Sequence, residues 1–142
     1  MFCGGVLTGR ISIQKFVELT SSNPAKLYGL GNTKGTIQPG FDADLTIWYP
    51  TPEQAASRGS TSTMTPFQLS NSMLHHDIDY TPFEGMEFTN WPRYTLLRGQ
   101  TVWNRDAGGV VGSKGDGAFL KRGPSSLSRP RNVFVNEFNP YP

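Results

Sequence analysis

The segment HHDID, His75–Asp79, holds both histidines of the chain and two of its aspartates. In an extended strand alternate side chains share a face, so His75, Asp77 and Asp79 would point to the same side. Imidazole and carboxylate groups are ligands that zinc accepts, and this face could hold a metal ion if another segment supplied a further ligand. A hydrogen-bonded surface strand explains the same residues, and we favour that interpretation.

Two further features carry reactive side chains. Asp42 and Asp44, in the triplet DAD, have a spacing that is compatible with an acid–base pair. They also follow a Pro-Gly turn, where carboxylates commonly accept hydrogen bonds from backbone N–H groups, and we favour this interpretation over catalysis. Cys3 carries a thiol, but no base adjoins it in the sequence, and a small buried apolar residue is the simpler interpretation.

A glycine-rich segment, GGVVGSKG at Gly108–Gly115, has the composition of a phosphate-binding loop. In such a loop the lysine directly follows the last glycine and precedes Ser or Thr. Here Ser113 separates the glycine from Lys114, and Gly115 follows the lysine. The segment is therefore predicted to be a linker.

The charge balance gives little support for a nucleic-acid partner. The net charge is +2, although a basic tail could meet phosphate or an acidic partner. That tail consists of Lys121, Arg122, Arg129 and Arg131. A single cysteine fits a reducing, cytoplasmic compartment. No apolar run approaches the roughly 18 residues that span a bilayer, and the opening MFCGGVLTGR lacks the features of a signal peptide, so no membrane partner is expected.

The elements that would position these residues begin with helices. One helical face is outlined by residues at i, i+3, i+4 and i+7, namely Ile13, Phe16, Val17 and Thr20. Ser12 is the predicted N-cap of this helix. A second helix is predicted to have Asn23 as its cap and Pro24 in its first turn, and to end at Gly29 or Gly31.

After the helices, the pattern becomes that of strands and turns. Thr36–Ile37 is predicted as a short strand and Leu45–Trp48 as a stronger one, and a hairpin is predicted to turn at Arg98–Gly99. Residues 49–74 are rich in Ser, Thr and Pro and are interpreted as a long loop. Residues 112–142 read as a flexible arm. Its aromatic and apolar side chains could dock on another surface: Phe134, Val135, Phe138 and Tyr141.

Three well-patterned segments follow one another in the first 103 residues. They are LTGRISIQKFVELTSSNPAKLYGL (Leu7–Leu30), KGTIQPGFDADLTIW (Lys34–Trp48) and DYTPFEGMEFTNWPRYTLLRGQTVW (Asp79–Trp103). Together they resemble the C-terminal region of dihydropyrimidinases and D-hydantoinases, which are cyclic amidohydrolases. GAFLKR (Gly117–Arg122) is similar to the segment near the C-terminal end of that family. The motif DYTPFEGME favours this branch over allantoinases, which share the NPAK and DADL motifs.

The resemblance implies an α+β, mainly β fold class. The family fold is a metal-bearing (β/α)8 barrel beside a small β-sandwich built from both chain ends. Residues 1–33 would contain the last helices of the barrel, residues 34–111 strands of the sandwich with the 49–74 loop, and residues 112–142 the irregular arm. A whole barrel needs roughly 250 residues, so this chain of 142 residues would hold only part of one.

The resemblance also implies a chemistry. In the family, two zinc ions bridge a hydroxide that attacks a ring amide, and a dihydropyrimidine or hydantoin opens to an N-carbamoyl amino acid. The family's ligands are an HxH pair, a carboxylated lysine, two further histidines and an aspartate, and no residue here matches those motifs. We therefore expect no catalytic, cofactor-binding or metal residue in this chain, and no activity from the chain alone.

The expected partners are the rest of the barrel and further subunits, since tetramers are typical of the family. The alternative is a non-catalytic assembly module, like the dihydropyrimidinase-related scaffolds. Half a sandwich leaves strand edges open, so the isolated chain is expected to be marginally stable or to associate.

Overall fold

An antiparallel sheet preceded by short helices forms the described part of the chain. A computed structural model describes residues 1–61 and 63–127. Its helices are α1 (Ile13–Val17), α2 (Asn23–Leu27) and α3 (Pro52–Ser57), with π-helical turns at Phe2–Val6 and Glu18–Ser22 and 3₁₀ turns at Asn71–Met73 and Arg105–Ala107. The strands are β1 (Leu45–Trp48), β2 (Phe67–Gln68), β3 (Glu87–Phe88), β4 (Pro92–Leu97), β5 (Gln100–Asn104) and β6 (Gly109–Val110). Within these ranges no helix is long and apolar enough to cross a membrane.

The first helical segment begins as predicted but does not break where predicted. The Ser12 hydroxyl accepts a hydrogen bond from the Lys15 backbone N–H at 3.1 Å, which confirms the N-cap. Asn23 is not a cap, because its backbone is helical at φ −69° and ψ −45°. Its side-chain amide instead donates to Glu18 at 3.2 Å. A π-helical turn joins α1 to α2, so the two predicted helices form one continuous helical segment.

Gly29 ends this segment, as one of the two predicted stops. Its φ of +70° lies in the left-handed region that favours glycine. The Leu30 N–H donates to Ala25 O at 2.7 Å, and the Gly29 N–H donates to Lys26 O at 3.2 Å. These two bonds form a Schellman motif, which satisfies carbonyl groups at the helix end.

The larger sheet has the order β1-β4-β5-β6, with antiparallel pairing throughout. The hairpin between β4 and β5 turns at Arg98 (φ +48°) and Gly99 (φ +81°), as predicted, and positive φ at both positions matches a type I′ turn. A non-glycine residue at positive φ needs support. The Arg98 N–H donates to Asp44 Oδ1 at 2.8 Å, and the Gly99 N–H donates to Ala43 O at 2.9 Å. The segment that precedes β1 therefore holds the hairpin turn.

Strand β4 is irregular on both of its sides. Its pairing with β1 shifts register between Ile47 and Trp48, and its pairing with β5 shifts between Thr95 and Leu96. Such bulges increase the local twist and fix the register of a strand against its neighbours.

The predicted strand at Thr36–Ile37 is wrong. Ser22 Oγ donates to Gly35 O at 3.0 Å, which holds this segment against the helices. Gly35 has a φ of +91°, and a Cβ there would lie 2.5 Å from the Ala25 side chain. Packing against α2 therefore overrides the β propensity of the two residues, and Ile37 is left 86% exposed.

The predicted loop at residues 49–74 contains regular structure. Helix α3 begins with a capping box: the Thr51 hydroxyl accepts from Gln54 N–H, and the Gln54 side chain accepts from Thr51 N–H. Pro52 occupies the first helical position. Strand β2 pairs with β3 through Phe67, whose ring stacks on Phe88 at 6.0 Å.

An aromatic cluster joins the helices to the larger sheet. The Phe2 ring stacks on Trp48 with centroids 4.3 Å apart, and the edge of Phe16 meets both rings. Elsewhere in the described ranges burial is slight. The hydrophobic residues buried there are Ala25, Ala55 and Leu69. The described part of the chain therefore does not close a sizeable core of its own.

Part of the predicted flexible arm has defined contacts. The Gly123 N–H donates to Gly29 O at 2.9 Å, and the Ser126 N–H donates to Lys26 O at 3.1 Å. Residues 112–127, called the arm below, thus return to the end of α2. The remainder of the predicted arm, with Arg129, Arg131, Phe134, Val135, Phe138 and Tyr141, lies outside the described residues.

Candidate functional site

The HHDID segment is not the strand that the sequence predicts. It is irregular and follows the 3₁₀ turn at Asn71–Met73. The His75 ring meets the edge of Trp103 at 5.5 Å, while His76 Nδ1 accepts a hydrogen bond from the Ile78 N–H at 3.1 Å. The common face proposed for the metal ligands therefore does not form. Within residues 1–61 and 63–127, no group of three or more His, Cys, Asp or Glu side chains could hold a metal ion.

Asp42 and Asp44 converge on one lysine. The Lys34 ammonium lies 2.8 Å from Asp42 Oδ2 and also pairs with Asp44, and the lysine side chain is only 13% exposed. Burial opposes the charged form of Lys34, but the hydrogen bonds to both carboxylates outweigh it and raise the pKa of Lys34. Burial likewise opposes ionisation of Asp44, and the hydrogen bonds from Lys34 and Arg98 lower its pKa. This ion cluster braces the hairpin turn, and the lowered pKa of Asp44 favours its ionised form.

Cys3 links the start of the chain to the sheet. Its thiol donates to Asn90 O at 3.1 Å, and Asn90 is buried with 4% exposure. The Asn90 amide in turn donates to Tyr49 O at 3.1 Å. A carbonyl oxygen cannot take the thiol proton, so this contact favours a structural role for Cys3 over a nucleophilic one.

The glycine-rich segment Gly108–Gly115 is not a simple linker, because it contributes strand β6. The Asp116 carboxylate accepts a hydrogen bond from the Ser113 N–H at 2.7 Å. The Ser113 amide is therefore already paired with a carboxylate and is not available to a phosphate. The segment has no phosphate-loop geometry.

Three side chains donate hydrogen bonds to the carboxylate of Asp106 and form a cluster that the sequence analysis did not predict. Tyr49 donates to Oδ1 at 2.6 Å, while Arg93 Nε and Tyr94 donate to Oδ2 at 2.7 and 3.2 Å. The Arg93 guanidinium also lies over the rings of Tyr49 and Tyr94. Hydrogen bonds lower the pKa of Asp106, and the bond from Tyr49 has the largest effect, ahead of that from Arg93. Burial and the Asp106 carboxylate raise the pKa of Tyr49. These contacts tie the end of β1 to β4 and to the turn after β5.

An apolar cleft of about 260 Å³ opens between the two sheets, and we call it the aromatic cleft. Its lining includes Phe67, Leu69, His75, Trp91, Trp103 and Arg105. The Arg105 guanidinium lies 4.6 Å from the centroid of Phe67 and 6.0 Å from that of Trp91. The cleft therefore combines ring faces with one guanidinium and one imidazole.

Comparison with known proteins places the chain in a family. The model of the amidohydrolase family matches residues 4–102. The chain is 40% identical over 124 residues to a D-phenylhydantoinase of Escherichia coli O1:K1 / APEC, which covers 87% of this chain and 24% of that protein. It is 38% identical over 118 residues to a D-hydantoinase of Ralstonia pickettii, covering 83% of this chain and 22% of that protein.

Solved structures give the same assignment. The fold is similar to a dihydropyrimidinase from Brevibacillus agri, with a TM-score of 0.70 and 34% identity over 91% of this chain and 24% of that one. It is also similar to an L-hydantoinase (dihydropyrimidinase) from Arthrobacter aurescens, with a TM-score of 0.68 and 34% identity over 84% of this chain and 23% of that one. The chain spans about a quarter of the length of the relatives it matches. This chain belongs to the amidohydrolase family, and its relatives there are hydantoinases and dihydropyrimidinases.

Proposed function

We propose that the chain is a C-terminal portion of a hydantoinase- or dihydropyrimidinase-like cyclic amidohydrolase. The whole protein would open dihydropyrimidines or hydantoins to N-carbamoyl amino acids. One observation carries the proposal: 87% of this chain aligns at 40% identity with 24% of a D-phenylhydantoinase. The DYTPFEGME and DADL segments, which resemble the C-terminal region of that family, support the same assignment.

The two zinc ions that the family implies do not fit the residues described here. The imidazoles of His75 and His76 face Trp103 and a backbone amide, and the Asp42 and Asp44 carboxylates pair with Lys34. The metal ligands would therefore come from the remainder of the protein, and no catalytic step is assigned to this chain. We expect the chain alone to be inactive.

The helical segment offers a surface for that remainder. Its apolar stripe has Phe16 inside the aromatic cluster, but Ile13 and Val17 are each 46% exposed beside a shallow apolar groove. Stripes of this kind normally cover a core. The barrel from which these helices would derive is the proposed occupant.

The first test is the size of the native product. Tryptic peptides from a source extract would be sequenced by mass spectrometry. A peptide that joins barrel sequence to MFCGGVLTGR would support the proposal. A native product near 15.7 kDa that begins at Met1 would contradict it.

The second test is reconstitution. The purified 142-residue chain with zinc should not hydrolyse dihydrouracil or hydantoin, whereas mixing it with the separately expressed upstream part should restore hydrolysis. Val17→Asp should prevent reconstitution because it places a charge in the apolar stripe. Lys114→Asp, on the exposed side of the arm, is the matched control and should not. Zinc-dependent turnover by the chain alone would refute the proposal.

The upstream sequence separates this proposal from the assembly-module alternative. An HxH pair and a carboxylatable lysine there would support the enzyme. A barrel without those ligands would support a non-catalytic scaffold. In either case we expect a homo-oligomer, which sedimentation of the complete protein would measure.

A further inference from the structure

We infer that the aromatic cleft is a binding site for a small carboxylate with an apolar or aromatic body. The cleft lies between the two sheets and uses none of the family's metal-ligand motifs. The inference therefore does not depend on the proposed hydrolase activity.

The guanidinium of Arg105 is positioned to bind an anion in this cleft. It is half-buried and contacts the faces of Phe67 and Trp91. Across residues 1–61 and 63–127 no carboxylate lies within ion-pair distance of it. A guanidinium presents a fork of N–H donors that matches a carboxylate, and stacking on rings orients that fork without using it.

The imidazole of His75 lines the same cleft. Its ring packs edge-on against Trp103 at 5.5 Å. In the described ranges the His75 nitrogens make no hydrogen bond to the protein. His76 differs, because its Nδ1 accepts a hydrogen bond from a backbone amide. The cleft thus offers a guanidinium and an imidazole beside ring faces.

The charge, lining and volume of the cleft disfavour several other classes of ligand. An open aromatic cage attracts cations, but here the Arg105 guanidinium already covers the face of Phe67. A cationic ligand would therefore be repelled by a like charge. The floor includes Leu69, at 3% exposure, and therefore favours an apolar body over a sugar or phosphate. The volume of about 260 Å³ is below the usual range for drug-sized ligands, so the ligand is small.

The test uses phenylacetate as the probe, titrated into the ¹⁵N-labelled 142-residue chain under conditions in which its dispersed spectrum shows that the chain is folded. The indole N–H signals of Trp91 and Trp103 report on the cleft, and that of Trp48, in the aromatic cluster, is an internal control. We expect the first two signals to shift with saturation and the third to stay in place. The neutral phenylacetamide and the cationic 2-phenylethylammonium should bind at least about tenfold more weakly, because neither supplies an anion to the guanidinium.

Substitutions of Arg105 test whether its guanidinium binds the carboxylate of the probe. Arg105→Gln should weaken phenylacetate binding at least about tenfold, and Arg105→Lys should give an intermediate loss because it keeps the charge without the fork. Arg122→Gln, which removes an exposed guanidinium from the arm, is the matched control and should bind as the parent does. The same spectra show whether each variant retains the fold. Equal affinity for acid and amide, an unchanged affinity in Arg105→Gln with the fold intact, or no shift of either indole at 10 mM probe would overturn the inference.

Discussion

The contact between the end of α2 and the arm can be tested with a single methyl group. Gly29 has a φ of +70°, and a Cβ added there would lie 2.0 Å from Gly123 O and 2.6 Å from Gly123 C. These are backbone atoms, which cannot rotate away as a side chain could. Gly29→Ala should therefore push the arm off the helix end. Gly59 provides a matched control, because its φ is +64° and no atom lies within 4 Å of its added Cβ.

Gly29→Ala should lower the free energy of unfolding more than Gly59→Ala does, because only Gly29→Ala displaces the arm. Alanine in the left-handed region costs about 1–2 kcal/mol, and Gly59→Ala should show little more than this. Gly29→Ala should also lose the two backbone hydrogen bonds of the arm, from Gly123 and Ser126, at about 1 kcal/mol each. We expect losses in the free energy of unfolding of about 1 kcal/mol for Gly59→Ala and about 3 kcal/mol for Gly29→Ala. In a chain of this size those losses correspond to falls in Tm of about 4 and about 10 °C.

The assay combines urea unfolding, followed by circular dichroism, with hydrogen exchange. The amides of Gly123 and Ser126 should exchange faster in Gly29→Ala and at the parent rate in Gly59→Ala. Gly123→Ala provides a second control, because its added Cβ meets Gly29 O only at 3.4 Å, an ordinary contact. Equal destabilisation by Gly29→Ala and Gly59→Ala, with the Gly123 amide still protected, would refute the proposed steric contact.

Two further predictions concern the sheet. Because donors from Tyr49 and Arg93 lower the folded-state pKa of Asp106, its contribution to stability is present above about pH 4 and is lost as the pH falls through the lowered pKa. Urea midpoints measured from pH 6 to pH 2 should fall less steeply for Asp106→Asn, and parallel curves would contradict this assignment. Phe2→Ala should cost about 2 kcal/mol, because it removes a stacked ring from the aromatic cluster. Phe119→Ala, at a residue 94% exposed, should leave the urea midpoint unchanged, and similar losses for both would argue against the cluster.

Features set by neighbours in sequence were predictable. The N-cap at Ser12, the helix end at Gly29 and the hairpin at Arg98–Gly99 each follow from a few consecutive residues. Helix α3 could have been predicted too, because Thr51 and Gln54 have the spacing of a capping box. The Ser/Thr/Pro composition of the surrounding segment obscured that signal.

Features set by distant residues were not predictable. Tyr49 and Asp106 are separated by 57 positions and meet only because β1, β4 and β5 align. Likewise, the aromatic cleft brings His75 to Trp103 through packing that no local pattern encodes. The strand expected at Thr36–Ile37 failed for the same reason, since its backbone conformation is decided by contact with α2.

The register shifts on both sides of β4 determine where the chain can accept insertions and deletions. An insertion or deletion of one residue within β4 would turn every following side chain to the opposite face, and no single compensating change in β1 or β5 would restore both pairings. In the connection between α3 and β2, the described residues 58–61 and 63–66 take part in no strand pairing that would set such a constraint. Homologues should therefore differ in length before β2 and keep β4 constant, and tags or inserted domains belong in that connection.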